Sequence, residues 1–102
     1  MRNITEIGKF RLMPIIKIDD GENEEKFIEM PVSYGLNLEA KTKEGYFIVI
    51  ATLRSEKEGV GMETIESRFM DAIQTTEDWR TACTLLKIGT ALIKNSFPEE
   101  DY

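Results

Sequence analysis

The stretch Phe27-Ile28-Glu29-Met30-Pro31-Val32-Ser33-Tyr34-Gly35-Leu36-Asn37-Leu38-Glu39-Ala40-Lys41 decides the fold class. Ile28, Met30, Val32, Tyr34, Leu36, Leu38 and Ala40 are apolar, while Glu29, Ser33, Asn37, Glu39 and Lys41 between them are polar. A period of two over this length marks a long β-strand with one face on a core. Pro31 and Gly35 within it predict a bulge or kink.

Working outward, Lys9 to Ile18 alternates in the same way, with Phe10, Leu12, Ile16 and Ile18 on one face. Pro14 cannot donate to a ladder, which makes this an edge strand or bends it. Asp19 to Glu25 is an acidic, glycine-containing connection that reads as a hairpin tip. Thr42-Lys43-Glu44-Gly45 is a short turn into Tyr46 to Arg54. Strict alternation there puts Tyr46, Ile48 and Ile50 on one side and Phe47, Val49, Ala51 and Leu53 on the other. A strand apolar on both faces belongs inside a sheet and needs cover twice.

Ser55 to Gly61 is a charged turn, and Met62 to Ile73 fits two templates. As a helix it stacks Met62, Ile65, Phe69 and Ile73; as a strand it points Ile65, Phe69 and Ile73 to one side. The preceding meander tips the reading to a fourth antiparallel strand. Thr75 to Ser96 is a helix, opened by a Thr75/Asp78 capping pair and stopped by Pro98. Its stripe of Trp79, Ala82, Cys83, Leu86, Ile93 and Phe97 is widened by Leu85, Ile88 and Leu92, so the helix is packed on most sides. Gly89 implies close approach to another element. The expected architecture is a single α+β domain over residues 1–102, an antiparallel meander of about four strands followed by a long C-terminal helix.

Composition narrows the function. With 102 residues, 41% hydrophobic and 31% charged, the chain is an ordinary folded domain. A net charge of -6 argues against a nucleic-acid backbone as partner, since phosphates reward clustered Lys and Arg. No apolar run approaches membrane-spanning length. One cysteine precludes an internal disulfide, and the expectation is a cytoplasmic protein without a membrane partner. Histidine is absent, which removes the commonest general base and every imidazole metal site.

Individual chemical motifs yield to plainer readings. Cys83 sits among apolar helix positions and reads as a small hydrophobe. Asp19, Asp20, Glu22, Glu24 and Glu25 lack calcium-loop spacing. Gly59-Val60-Gly61 lacks the following Lys-Ser/Thr of a phosphate loop. Arg80, Lys87 and Lys94 mark a solvated helix edge. No catalytic, cofactor-binding or metal-ligating residue is assigned, and no enzyme activity or cofactor is expected.

Leu36-Asn37-Leu38-Glu39-Ala40, the turn, and Tyr46-Phe47-Ile48-Val49-Ile50-Ala51-Thr52-Leu53 resemble the central hairpin of the SecB export-chaperone family. Ile65 to Ile73 is similar to that family's fourth strand, and Ala82 to Pro98 to its first long helix and exit. The similar region runs from about Val32 to Pro98. Leu86-Lys87-Ile88 stands where the family carries an aromatic-proline-aromatic step, and a second helix does not follow before Tyr102. The resemblance implies self-association and binding of extended apolar polypeptide.

Two functions follow. The first is a SecB-like homo-oligomer that binds unfolded clients on the second sheet face, through Met13, Ile15, Phe47, Val49 and Leu53. The second is an acidic inhibitor or adaptor, of the kind mobile elements encode, docking on one specific protein. There Asp19 to Glu25 and Glu99 to Asp101 would occupy a basic nucleic-acid site on the target.

Overall fold

A computed structural model of the chain describes residues 5–18, 31–56 and 58–96. The protein is an α+β fold in which a five-stranded antiparallel sheet is followed by a C-terminal helix. The strands are β1 (Thr5–Ile7), β2 (Phe10–Ile18), β3 (Pro31–Lys41), β4 (Phe47–Glu56) and β5 (Gly59–Thr64). They lie side by side in chain order, β1-β2-β3-β4-β5. Two helices follow, α1 (Glu66–Ala72) and α2 (Thr76–Ser96). The residues of the expected acidic hairpin tip, Asp19 to Glu25, and of the tail after Ser96 lie outside the described residues.

The alternating segments form strands over the residues described, and Phe27 to Met30 of the expected long strand lie outside the described residues. In the β2–β3 ladder Phe10 faces Ala40, Leu12 faces Leu38 and Pro14 faces Leu36. Lys41 N donates to Lys9 O, so by alternation Pro14 and Leu36 are a non-hydrogen-bonded pair, and the missing proline N–H costs the β2–β3 ladder no bond. The register shifts where Lys17 faces Ser33 and Ile18 faces Pro31, which is the irregularity that Pro31 predicts.

Residues 62–73 depart from the expected strand. The strand occupies Gly59–Thr64 and ends there, and Glu66–Ala72 is helical. The segment likened to a fourth SecB strand, Ile65 to Ile73, is therefore mostly α1. Its apolar residues decide the outcome: Phe69, Ala72 and Ile73 fall on one side at helical spacing and pack against the core. The meander gains its fifth strand instead from Thr5–Ile7, three residues that carry too short an alternation to read.

α2 matches the sequence closely. Thr75 Oγ1 accepts the Asp78 N–H at 3.0 Å, and the Asp78 carboxylate accepts the N–H groups of Gln74 and Thr75 at 3.0 and 3.1 Å. This reciprocal capping satisfies donors that the first turn leaves open. The hydrogen bond from the Gln74 backbone holds the Asp78 carboxyl below the usual carboxylate range, helped by Lys9, whose ammonium lies 3.4 Å away. Ala82, Leu85 and Ile93 are buried against Phe10, Leu12, Leu36, Leu38, Ala40, Ile50, Ala51 and Leu53. Gly89 is the contact point: a Cβ there would stand 2.7 Å from Leu53 Cδ1, 3.4 Å from Leu36 Cδ1 and 3.5 Å from Leu12 Cδ2. Among the described residues no helix is long and apolar enough to cross a membrane.

Candidate functional site

The core cluster joins one sheet face to the two helices, and the other face carries neither. What that second face presents depends on a single irregularity in β4. Glu39 faces Val49 and Leu38 faces Ala51, so Ile50 is an extra residue bulged out of the register. A bulge reverses the alternation, and the consequence reaches every residue beyond it. Ile48 and Ile50 lie on the helix side, as alternation requires, but Ala51 and Leu53 join them there, buried at 1% and 2% exposure.

Leu53 is therefore not a member of the second face. The reading that grouped it with Phe47 and Val49 assumed an unbroken period of two, and the bulge cancels that assumption. Leu53 is a core residue under Gly89. The other four expected residues, Met13, Ile15, Phe47 and Val49, hold positions on the second face and are half-buried.

Their neighbours are polar residues that sequence reading set aside as mere alternation. The ladder aligns them in rows across β2, β3 and β4: Ile15, Gly35 and Arg54; Met13, Asn37 and Thr52; Arg11, Glu39 and Val49. Arg11 Nε donates to Glu39 Oε1 at 2.8 Å, and its guanidinium carbon lies 3.7 Å from the centroid of the Phe47 ring. Lys41 Nζ lies 5.7 Å from the same centroid. Both cations lie within reach of the ring quadrupole and help to hold Phe47 in place. Thr52 Oγ1 donates to Asn37 Oδ1 at 2.8 Å, and Arg54 donates to Glu63 at 3.0 Å. Gly35 stands in its row between Ile15 and Arg54 because the backbone of β4 comes too close for a side chain: a Cβ there would stand 2.7 Å from the Leu53 carbonyl oxygen. The signal for four of these partners is in the sequence: Arg11, Asn37, Glu39 and Thr52 are each the polar position between two core residues, as Arg11 is between Phe10 and Leu12.

Chemically this face sets half-buried apolar side chains among polar ones bonded to each other. Arg11 is paired with Glu39 and Arg54 with Glu63, the Thr52 hydroxyl is bonded to the Asn37 amide, and apolar side chains interrupt these pairs. A shallow cleft on the helix side is lined in part by Lys9, Lys43, Arg68, Asp71 and Gln74. Two of its cations have structural work: Lys9 pairs with Asp78, and Arg68 donates to the Val49 carbonyl at 3.1 Å. Cys83 is half-buried on α2. The acidic residues Asp19 to Glu25 and Glu99 to Asp101 lie outside the described residues.

Comparison with protein-family models, with curated proteins and with solved structures finds no match to this chain.

Proposed function

We propose that this chain is a non-enzymatic, SecB-like polypeptide-binding protein that takes extended apolar segments on the sheet face opposite α2. The observation that carries the reading is the placement of Met13, Ile15, Phe47 and Val49, half-buried on a face that neither helix covers. Apolar burial against those four supplies the affinity, and the bonded polar rows around them limit how an incoming segment lies. Net charge of -6 keeps the loaded protein soluble. Homo-oligomerisation would set several such faces around one client and raise avidity without new contacts.

The test is the double variant Phe47→Ser with Val49→Ser, assayed for binding to a reduced, alkylated, permanently unfolded protein. The expected result is loss of binding with the circular dichroism spectrum of the parent. Binding that survives in a folded variant overturns the reading. A single stoichiometric partner, lost as salt rises, would replace it with the acidic-adaptor function.

A further inference from the structure

β5 ends the sheet. Its neighbour on one side is β4, and among the described residues the strand order places no strand on the other. Which of its backbone groups are left over follows from the ladder. Ile65 N donates to Ile50 O at 2.9 Å, and Glu63 faces Thr52, Gly61 faces Arg54 and Gly59 faces Glu56. In an antiparallel pair successive residues turn their N–H and C=O alternately toward and away from the partner. Gly59, Gly61 and Glu63 therefore bond to β4, and Val60, Met62 and Thr64 turn theirs outward. The opposite edge strand, β1, is three residues long, half the length of β5. Natural edges are commonly blunted by proline, a bulge or inward-pointing charge. β5 contains no proline and pairs without a register break.

We infer that the free edge of β5 accepts an extended partner segment as a sixth strand, and that this segment alternates apolar and basic residues. The reading goes beyond the second-face site and does not depend on it. Each half of the alternation has its own evidence. On the helix side of the sheet the edge offers Val60, which packs on the core, and Met62, 55% exposed. On the other side it is acidic. The Glu56 carboxylate lies over Gly61, where a Cβ would otherwise stand, and Glu63 follows two positions on. At this edge, among the described residues, Glu56 and Glu63 have Arg54 beside them, and Arg54 already bonds Glu63. Glu58 is exposed at the turn, and Lys57 beside it lies outside the described residues.

Strand addition uses the outward groups of Val60, Met62 and Thr64 for affinity and the side chains for selection. A partner residue opposite Gly61 or Glu63 meets carboxylate, so Lys or Arg there is favoured; one opposite Met62 meets apolar surface. A second copy of this chain is the wrong occupant. Pairing β5 with itself would set Glu56 and Glu63 against the same two residues of the partner copy.

The probes are an alternating lysine–valine octapeptide and its glutamate–valine counterpart, titrated into the isotopically labelled full chain. The expected result is movement of the Val60, Met62 and Thr64 amides and slowed exchange there with the lysine peptide, weakening as salt rises. The glutamate peptide should bind at least tenfold more weakly. Met62→Pro removes an outward N–H without touching the bonds to β4, and should abolish the response while the Gly61 and Glu63 amides keep their ladder shifts. Met62→Ala should retain it. The pair Glu56→Lys and Glu63→Lys should reverse the peptide preference, a readout that does not rely on tolerance of proline. Equal binding of both peptides, or a folded Met62→Pro variant that still responds, overturns the inference. So does a response confined to Phe47 and Val49, which would leave the proposed function standing. Concentration-dependent broadening of the β5 amides without peptide would make the occupant a second copy and overturn it as well.

Discussion

Leu53 Cδ1 stands 2.7 Å from the place a Cβ on Gly89 would take, so β4 and α2 meet through a residue with no side chain. Alanine at Gly89 gains about 1 kcal/mol of helix propensity. It also forces a buried leucine off its packing, which costs about 1–3 kcal/mol in a close-packed interior. Gly89→Ala should therefore be neutral to destabilising, against the ordinary trend for glycine in a helix. Leu53→Ala alone should cost about 2–4 kcal/mol. In that background Gly89→Ala should become stabilising, and a double-mutant cycle by urea unfolding reads the sign change. Additive effects would mean the contact carries no strain.

Phe47 and Leu53 share a strand and, on strict alternation, a face; the bulge at Ile50 separates them. Leu53→Ser should cost about 3 kcal/mol or more, because it opens a cavity and buries a hydroxyl. Phe47→Ser, on a half-buried ring, should cost about 1 kcal/mol. Thermal unfolding of the two variants separates the core from the second face. Equal losses would return Phe47 to the core.

Asp78 closes the first turn of α2 and pairs with Lys9. Because the folded state holds its carboxyl below the ordinary value, the stabilisation is present above that ordinary value, about pH 3.9, and disappears as pH falls through the depressed one. Asp78→Ala should cost about 1 kcal/mol at pH 7. The gap between parent and variant should stay constant down to about pH 5 and narrow below about pH 4. Unfolding titrations at successive pH values measure it, and a gap that widens with acid would contradict the assignment.

Arg68 reaches from α1 to the Val49 carbonyl, where β5 has already ended. Arg68→Met should leave global stability close to that of the parent, because water can take over an exposed acceptor. It should loosen α1 locally instead. Hydrogen exchange at Phe69 and Ile73, whose amides bond back to Ile65 and Phe69, should quicken several-fold while β2 and β3 stay protected. Unchanged exchange would show that α1 is held by packing alone.

The period-two pattern of Leu36 to Ala40 and the capping pair Thr75/Asp78 were legible because each signal is local and each residue in it does one thing. Gly89 was legible for the same reason: a glycine amid good helix formers asks for an explanation, and close packing is the common one. Leu53 was misread because nothing at Ile50 announces a bulge. Ile50 and Ala51 are both apolar, so a break in alternation looks like a strand greasy on both faces. Residues 62–73 were misread because apolar residues four apart satisfy both periods, and the choice was settled by packing beside α2. The Arg11–Phe47 contact joins two strands separated by a third. It depends on the register of two ladders at once, which no single segment reveals.

Every strand in this sheet pairs only with its neighbours in the chain, whereas the layer that covers its apolar side comes last. During synthesis the hairpins can therefore zip as they emerge, but Leu12, Leu36, Leu38 and Leu53 stay wet until α2 is made. A chain released near Gln74 would carry all five strands with their interior face turned largely to the solvent. Premature termination there yields a sticky plate, not a smaller domain.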